Sequence, residues 1–156
     1  MSRLRPQSTN ALHSGFCEAT LAWHHTQHES PLRSYSAKHG VAHLLCADRK
    51  DDAEQRMLDL HFMGAFADAW PTVVEPLAAW RIVGLNRARE GFARLAAELP
   101  DAATGRLPDA RAAQKTSSIL KDMGLPEEGA EIGRWAFEVR ERILGIDHAN
   151  TLNSLN

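Results

Sequence analysis

A chain of 156 residues is long enough to bury one hydrophobic core, and a formal charge of −2 leaves no electrostatic footprint for nucleic acid or an anionic membrane surface. No stretch approaches the roughly 18 consecutive apolar residues that a membrane-spanning helix requires, and Met1 to Pro6 is not followed by an apolar secretory core. The composition therefore points to a cytoplasmic protein with neither nucleic acid nor membrane as partner, in which Cys17 and Cys46 are reduced, buried thiols.

Residues 1–8 read as a polar, mobile end, after which Asn10 is placed to cap a first helix. Leu12, Phe16, Ala19 and Trp23 recur at i, i+4, i+7 and i+11, so this helix buries one side. The polar run His24-His25-Thr26-Gln27-His28-Glu29 breaks the pattern. Ser30 then caps a second helix with Pro31 at its first position, running to about Cys46 and carrying Tyr35, His39, Ala42 and Cys46 on one face.

The line Tyr35-x3-His39-x3-His43-Leu44 resembles the helix that follows the nucleotide-binding and winged-helix part of STAND-type (NB-ARC/NACHT) signalling proteins. The similarity continues through Asp52, Ala53, Glu54, Leu58, Asp59, Phe62 and Ala65 and covers roughly Leu12 to Trp70; Gly40 stands where a larger apolar residue is usual. In that family the segment leads into repeats that sense a ligand, so the resemblance implies a linker region over residues 9–99.

Asp51 or Asp52 is the expected cap of a third helix with Ala53, Met57 and Leu60 inward, and Phe62 to Trp70 forms a short fourth that Pro71 ends. Val73, Val74, Leu77, Trp80 and Val83 mark a fifth helix, with Pro76 tolerated near its start, which Gly84 relaxes. A sixth spans Asn86 to Leu99 with Ala88, Phe92, Leu95 and Leu99 on one side. Residues 100–108, from Pro100 to Pro108 with Gly105 between, read as a linker. From Asp109 a seventh helix places Ala112, Thr116, Ile119, Leu120 and Met123 in a stripe. The eighth begins at Pro126 and carries Ile132, Ala136, Val139 and Ile143 at one face, with Arg134, Glu138 and Arg142 at i, i+4 spacing outside it. Gly145 supplies a left-handed end, and Asp147 caps a further helix over residues 149–156. No segment alternates with period 2, so the fold class is all-α.

Met123-Gly124-Leu125-Pro126-Glu127-Glu128, followed by Ala136 and by Glu138 through Leu144-Gly145-Ile146-Asp147-His148, resembles a tetratricopeptide repeat of the kinesin-light-chain type, also present in bacterial multidomain signalling proteins. This likeness implies that residues 109–156 form one antiparallel helix pair plus the opening helix of a next pair, the start of an α-solenoid. It also implies that Gly124 allows a tight helix approach and Ala136 a close crossing. Gly129 replaces the usual alanine and Ala149 the usual proline.

Chemistry is sparse. The chain has no Gly-x4-Gly-Lys-Ser/Thr phosphate loop, no Gly-x-Ser-x-Gly elbow, no Cys-x2-Cys pair and no His-Glu-x2-His, so no catalytic residues, cofactor or metal ligands are assigned. The expectation is a non-catalytic protein–protein interaction module or scaffold, part of a larger signalling or sensor protein. Its candidate surface is Ile132, Trp135 and Val139 together with Leu152 and Leu155 at an open C-terminal end, which would take a protein or peptide partner or a second copy of the chain. The alternative is a small metal- or haem-binding helical protein using His24, His25, His28, His39 and His43, the last two at i, i+4 spacing.

Overall fold

In the computed structural model, residues 6–25, 30–70, 72–146 and 148 are described, with side chains from residue 14 onward except that of His25. Among them the chain forms eight α-helices, one 3-10 turn and no strand. The helices are α1 (Pro6–Leu21), α2 (Pro31–Cys46), α3 (Lys50–Met57), α4 (Leu60–Ala69), α5 (Val74–Val83), α6 (Leu85–Ala97), α7 (Leu107–Asp122) and α8 (Pro126–Leu144), with the turn at Trp23–His25. The all-α expectation therefore holds.

Local chemistry sets where these helices start. α1 opens at Pro6 rather than after Asn10, because proline costs nothing at a first helical position whose N–H has no partner. Ser30 caps α2 as expected, its Oγ accepting the Leu32 N–H at 3.3 Å. Neither Asp51 nor Asp52 caps α3. Arg49 occupies that position without a side-chain bond, and both aspartates lie in the first turn, where they favour the positive end of the helix dipole. Asp59 is the cap of α4, its Oδ1 accepting the Phe62 N–H at 3.0 Å, and α4 ends at an extended Trp70 (φ −125°, ψ 123°), as a residue before proline should be. Gly84, at φ 128°, lets α5 break directly into α6.

The turn from α7 to α8 is a Schellman motif. Gly124 has φ 83°, its N–H reaches the Lys121 carbonyl at 3.1 Å, and the Leu125 N–H reaches the Leu120 carbonyl at 2.8 Å. A Cβ on Gly124 would meet nothing within 4 Å, so this glycine serves backbone conformation and not the expected tight approach. The close approach lies further along α8, at Gly129 and Gly133. A Cβ at Gly129 would sit 2.9 Å from the Ser117 carbonyl oxygen, and one at Gly133 2.7 Å from the Ser117 hydroxyl. Ser117 Oγ in turn donates to the Gly129 carbonyl at 2.6 Å, so the polar groups buried at this crossing satisfy each other.

Two helices bury faces other than those expected. Among the described side chains of α1 the buried ones are Cys17 and Thr20, with Trp23 beyond its end, while Phe16 and Ala19 are half-exposed; that of Leu12 lies outside them. On α2 they are Ser36, Ala37, Gly40, Val41 and Leu44, whereas Tyr35, Ala42 and Cys46 are exposed and His39 half-buried. The reason is the crossing of α1 on α2, where a Cβ at Gly40 would lie 2.3 Å from Thr20 Oγ1. The helices come together over small residues and turn the aromatic row outward. Cys46 is thus an exposed thiol, while Cys17 is buried; both are free. Burial pushes the Cys17 thiol above its usual range.

α4 lies between α2 and α7, α7 packs most extensively on α8, and α6 also reaches α8. The buried residues from Cys17 to Val139 make one continuous core, so the segments on either side of residues 100–108 share it. Trp80 and Phe92 are its largest fully buried side chains beside Phe62, with ring centroids 5.5 Å apart in an edge arrangement. Arg49 ties the chain's first and third helices together, bonding Glu18 Oε1 at 2.7 Å and Asp52 Oδ2 at 2.6 Å.

Candidate functional site

Ile132 and Val139 are fully buried and Trp135 is 8% exposed, so these three residues form core and not an open surface. The cover is the segment read as a linker. Trp135 Nε1 donates to the Pro100 carbonyl at 2.6 Å, and Arg142 donates from Nε to the Ala102 carbonyl at 3.1 Å and from Nη2 to the Gly105 carbonyl. A Cβ at Gly105 would stand 2.4 Å from Val139 Cγ2 and 3.1 Å from Trp135 Cζ2. Residues 100–106 are therefore a strap laid across α8, and Gly105 is the residue small enough to let it lie flat. Ile143 and Ile146, at the end of α8, are 40% and 50% exposed. Gly145 ends that helix at φ 85°. Asp147, Leu152 and Leu155 lie outside the described residues.

The histidines go to separate neighbourhoods. His24 pairs with Asp59 at the head of α4. His43 meets the Tyr35 hydroxyl at 3.0 Å and stacks on Phe16 at 4.8 Å, while His39 lies against Tyr35 and edge-on to Trp70 at 6.0 Å. The i, i+4 pair on α2 thus joins an aromatic row rather than one ion's coordination sphere. Among the described residues no three His, Cys, Asp or Glu side chains are placed to hold a metal. The His25 side chain and all of His28 lie outside them.

What the sequence did not announce is a cleft of about 780 Å³ between α2, α4 and α7. It exists because facing positions are small: Ala37 on α2, Gly64 and Ala65 on α4 and Ala112 on α7 leave space that larger side chains would fill. At its base α4 and α7 nearly touch, with a Cβ on Gly64 falling 3.3 Å from Ala112 Cα. Trp23 closes one end. Its ring lies 3.6 Å beneath the Arg33 guanidinium, and the two residues exchange hydrogen bonds, Arg33 Nη1 to the Trp23 carbonyl at 2.8 Å and Trp23 Nε1 to the Arg33 carbonyl at 3.2 Å.

Arg33, Arg111 and Lys115 stand on the rim against one carboxylate, Asp68, which pairs with Lys115. Nearby, His61 Nε2 meets Asp109 Oδ1 at 2.8 Å, and Arg106 holds the same carboxylate through Nε and Nη2 at 2.8 and 3.0 Å. The Arg106 bonds first, and His61 after them, hold the Asp109 carboxyl below its usual range. A depressed folded-state value means that Asp109 adds stability above the ordinary aspartate range near 3.9, stability lost as pH falls through that value and below. Asp109→Asn is thus expected to lower the melting temperature at neutral pH, by an effect worth about 0.5–1 kcal/mol, with the gap narrowing as pH falls below the ordinary aspartate value. Melting curves of both proteins across that range test it, and a gap that stays constant with pH removes the pair from the account.

No described helix is long and apolar enough to cross a membrane. In comparison with known proteins, the chain matches no family model and shows no significant similarity to a curated protein or a solved structure.

Proposed function

We propose that the chain is a non-catalytic helical interaction module that receives a segment of a protein partner in the cleft between α2, α4 and α7. The observation that carries this reading is the cleft itself, open, floored by alanine and glycine and within the size range of binding pockets. Several of its polar groups are already engaged in structural pairs, His61 with Asp109, Lys115 with Asp68 and Arg33 with Trp23, which suits a docking surface better than a reacting centre. The glycine turn and close crossing of α7 and α8 support reading them as an antiparallel, tetratricopeptide-like pair, the start of a solenoid. On that reading the earlier helices correspond to the lead-in of a STAND-type sensor, and the module works within a larger cytoplasmic signalling protein.

Ser34 is exposed on the wall of the cleft, and tryptophan at this helical position fills the space without entering the core. Selection of a random peptide display library on the full chain is expected to enrich peptides whose affinity falls by about tenfold or more in Ser34→Trp. Failure to enrich any peptide, or equal binding to both proteins, overturns the proposal.

A further inference from the structure

We propose that residues 100–105 form a latched cover that lifts off α8 while the rest of the fold stays intact, with Arg142 as the latch. Little ties them down. Pro100, Asp101, Ala103 and Thr104 are exposed, so the strap's own apolar contribution is the partly buried Ala102 and the buried Gly105. Among the described residues, the backbone N–H groups of the strap that are bonded find their partners inside it, Ala103 and Thr104 on Asp101 and Gly105 on Ala102. Its polar hold on the body comes from two side chains, Trp135 donating to the Pro100 carbonyl and Arg142 to those of Ala102 and Gly105. A segment with few buried apolar contacts and solvent-exposed hydrogen bonds belongs at the low-stability end of a structure.

Both ends are fixed, which makes the movement a lift and not a general fraying. On one side Leu99 is partly buried against the core; on the other Arg106 is pinned to Asp109 at 2.8 and 3.0 Å, and its carbonyl accepts the Ala110 N–H in the first turn of α7. Arg142 supplies two of the fastenings and is itself exposed, so water can take the carbonyls it releases. Trp135 and Val139 oppose the movement, since lifting wets the ring and the methyl beneath Gly105. That surface is small beside the core that global unfolding exposes. Opening therefore depends only weakly on denaturant, which separates it from unfolding of the whole chain. What it uncovers is the middle of the α8 stripe, a face the chain keeps covered with its own backbone.

The test is hydrogen exchange of the tryptophan indoles, read by NMR on the full chain in urea below its unfolding transition. The strap seals the Trp135 Nε1 proton, and that of Trp80, in a fully buried side chain, serves as the clock for global unfolding. The Trp135 proton is expected to exchange at least about a hundredfold faster than that of Trp80, at a rate nearly flat in urea. Val41→Ala truncates the core on α2, which packs on α1, α3, α4 and α5. It should speed Trp80 by about tenfold and leave Trp135 unchanged. Arg142→Ala should speed Trp135 by about tenfold, and Gly105→Ala, whose methyl would press on Val139, should prop the strap open without touching the latch. Equal rates for the two indoles, with one urea slope and one response to Val41→Ala, overturn the cover, because the strap then parts only when the molecule unfolds. Fast Trp135 exchange indifferent to both Arg142→Ala and Gly105→Ala overturns it too, since water then reaches the indole past a closed strap. A response to Gly105→Ala alone overturns Arg142 as the latch.

Discussion

Trp135→Ala is expected to cost about 3–5 kcal/mol in urea denaturation, the range for deleting a large buried ring that its surroundings cannot close over. The ring is 8% exposed and lies beneath Gly105, so its loss would open a cavity under the strap. Trp135→Phe separates packing from polar contact, since it keeps most of the ring and removes only the hydrogen bond to the Pro100 carbonyl. Pro100 is exposed, so water can take that acceptor, and the expected loss is about 0.5–1.5 kcal/mol. If Trp135 instead lined an open groove, alanine would change stability by only about 0.5 kcal/mol, and such a result would sink the strap.

The second large effect is expected at Gly129. In an ordinary exposed helix interior, glycine to alanine gains about 1 kcal/mol. Here the added methyl would lie 2.9 Å from a backbone oxygen of α7 and 3.3 Å from Leu120 Cβ, neither of which can rotate away. Overpacking outweighs propensity, so Gly129→Ala is expected to lose about 1 kcal/mol and Gly129→Val about 3 kcal/mol, read from denaturation midpoints. Gly133 differs because its obstacle is the Ser117 hydroxyl, whose removal makes room. Combining Gly133→Ala with Ser117→Ala should therefore be less damaging than the sum of the two, a coupling that a double-mutant cycle measures. A Gly129→Ala protein more stable than the parent would show that α7 and α8 stand further apart than described.

Apolar periodicity located every described α-helix because each buries a stripe, and it placed the inward faces best on α6, α7 and α8, where charged residues mark the outside. It failed on α1 and α2. There Cys17, Val41 and Leu44 share the buried positions with Thr20, Ser36, Ala37 and Gly40, small or polar residues that blur the apolar stripe, while Tyr35 and His39 sit in an outer row with Phe16 and Trp70. The stripe Ile132, Trp135, Val139 was legible as a surface needing cover. Its cover was not, since residues 100–106 contribute backbone carbonyls rather than a hydrophobic pattern. The cleft escaped notice for a related reason. It is made by what Ala37, Gly64, Ala65 and Ala112 lack, and only the fold brings those positions face to face.

The strap's fastening has a consequence for how this chain tolerates change. Trp135 and Arg142 grip the oxygens of Pro100, Ala102 and Gly105, atoms that any amino acid would present. Spelling at the exposed positions 103 and 104 is therefore free to drift, provided Asp101 still shapes the bend through the Ala103 and Thr104 N–H groups. Adding or removing a single residue there is another matter: every oxygen beyond it would be carried out of register with the two side chains waiting on α8.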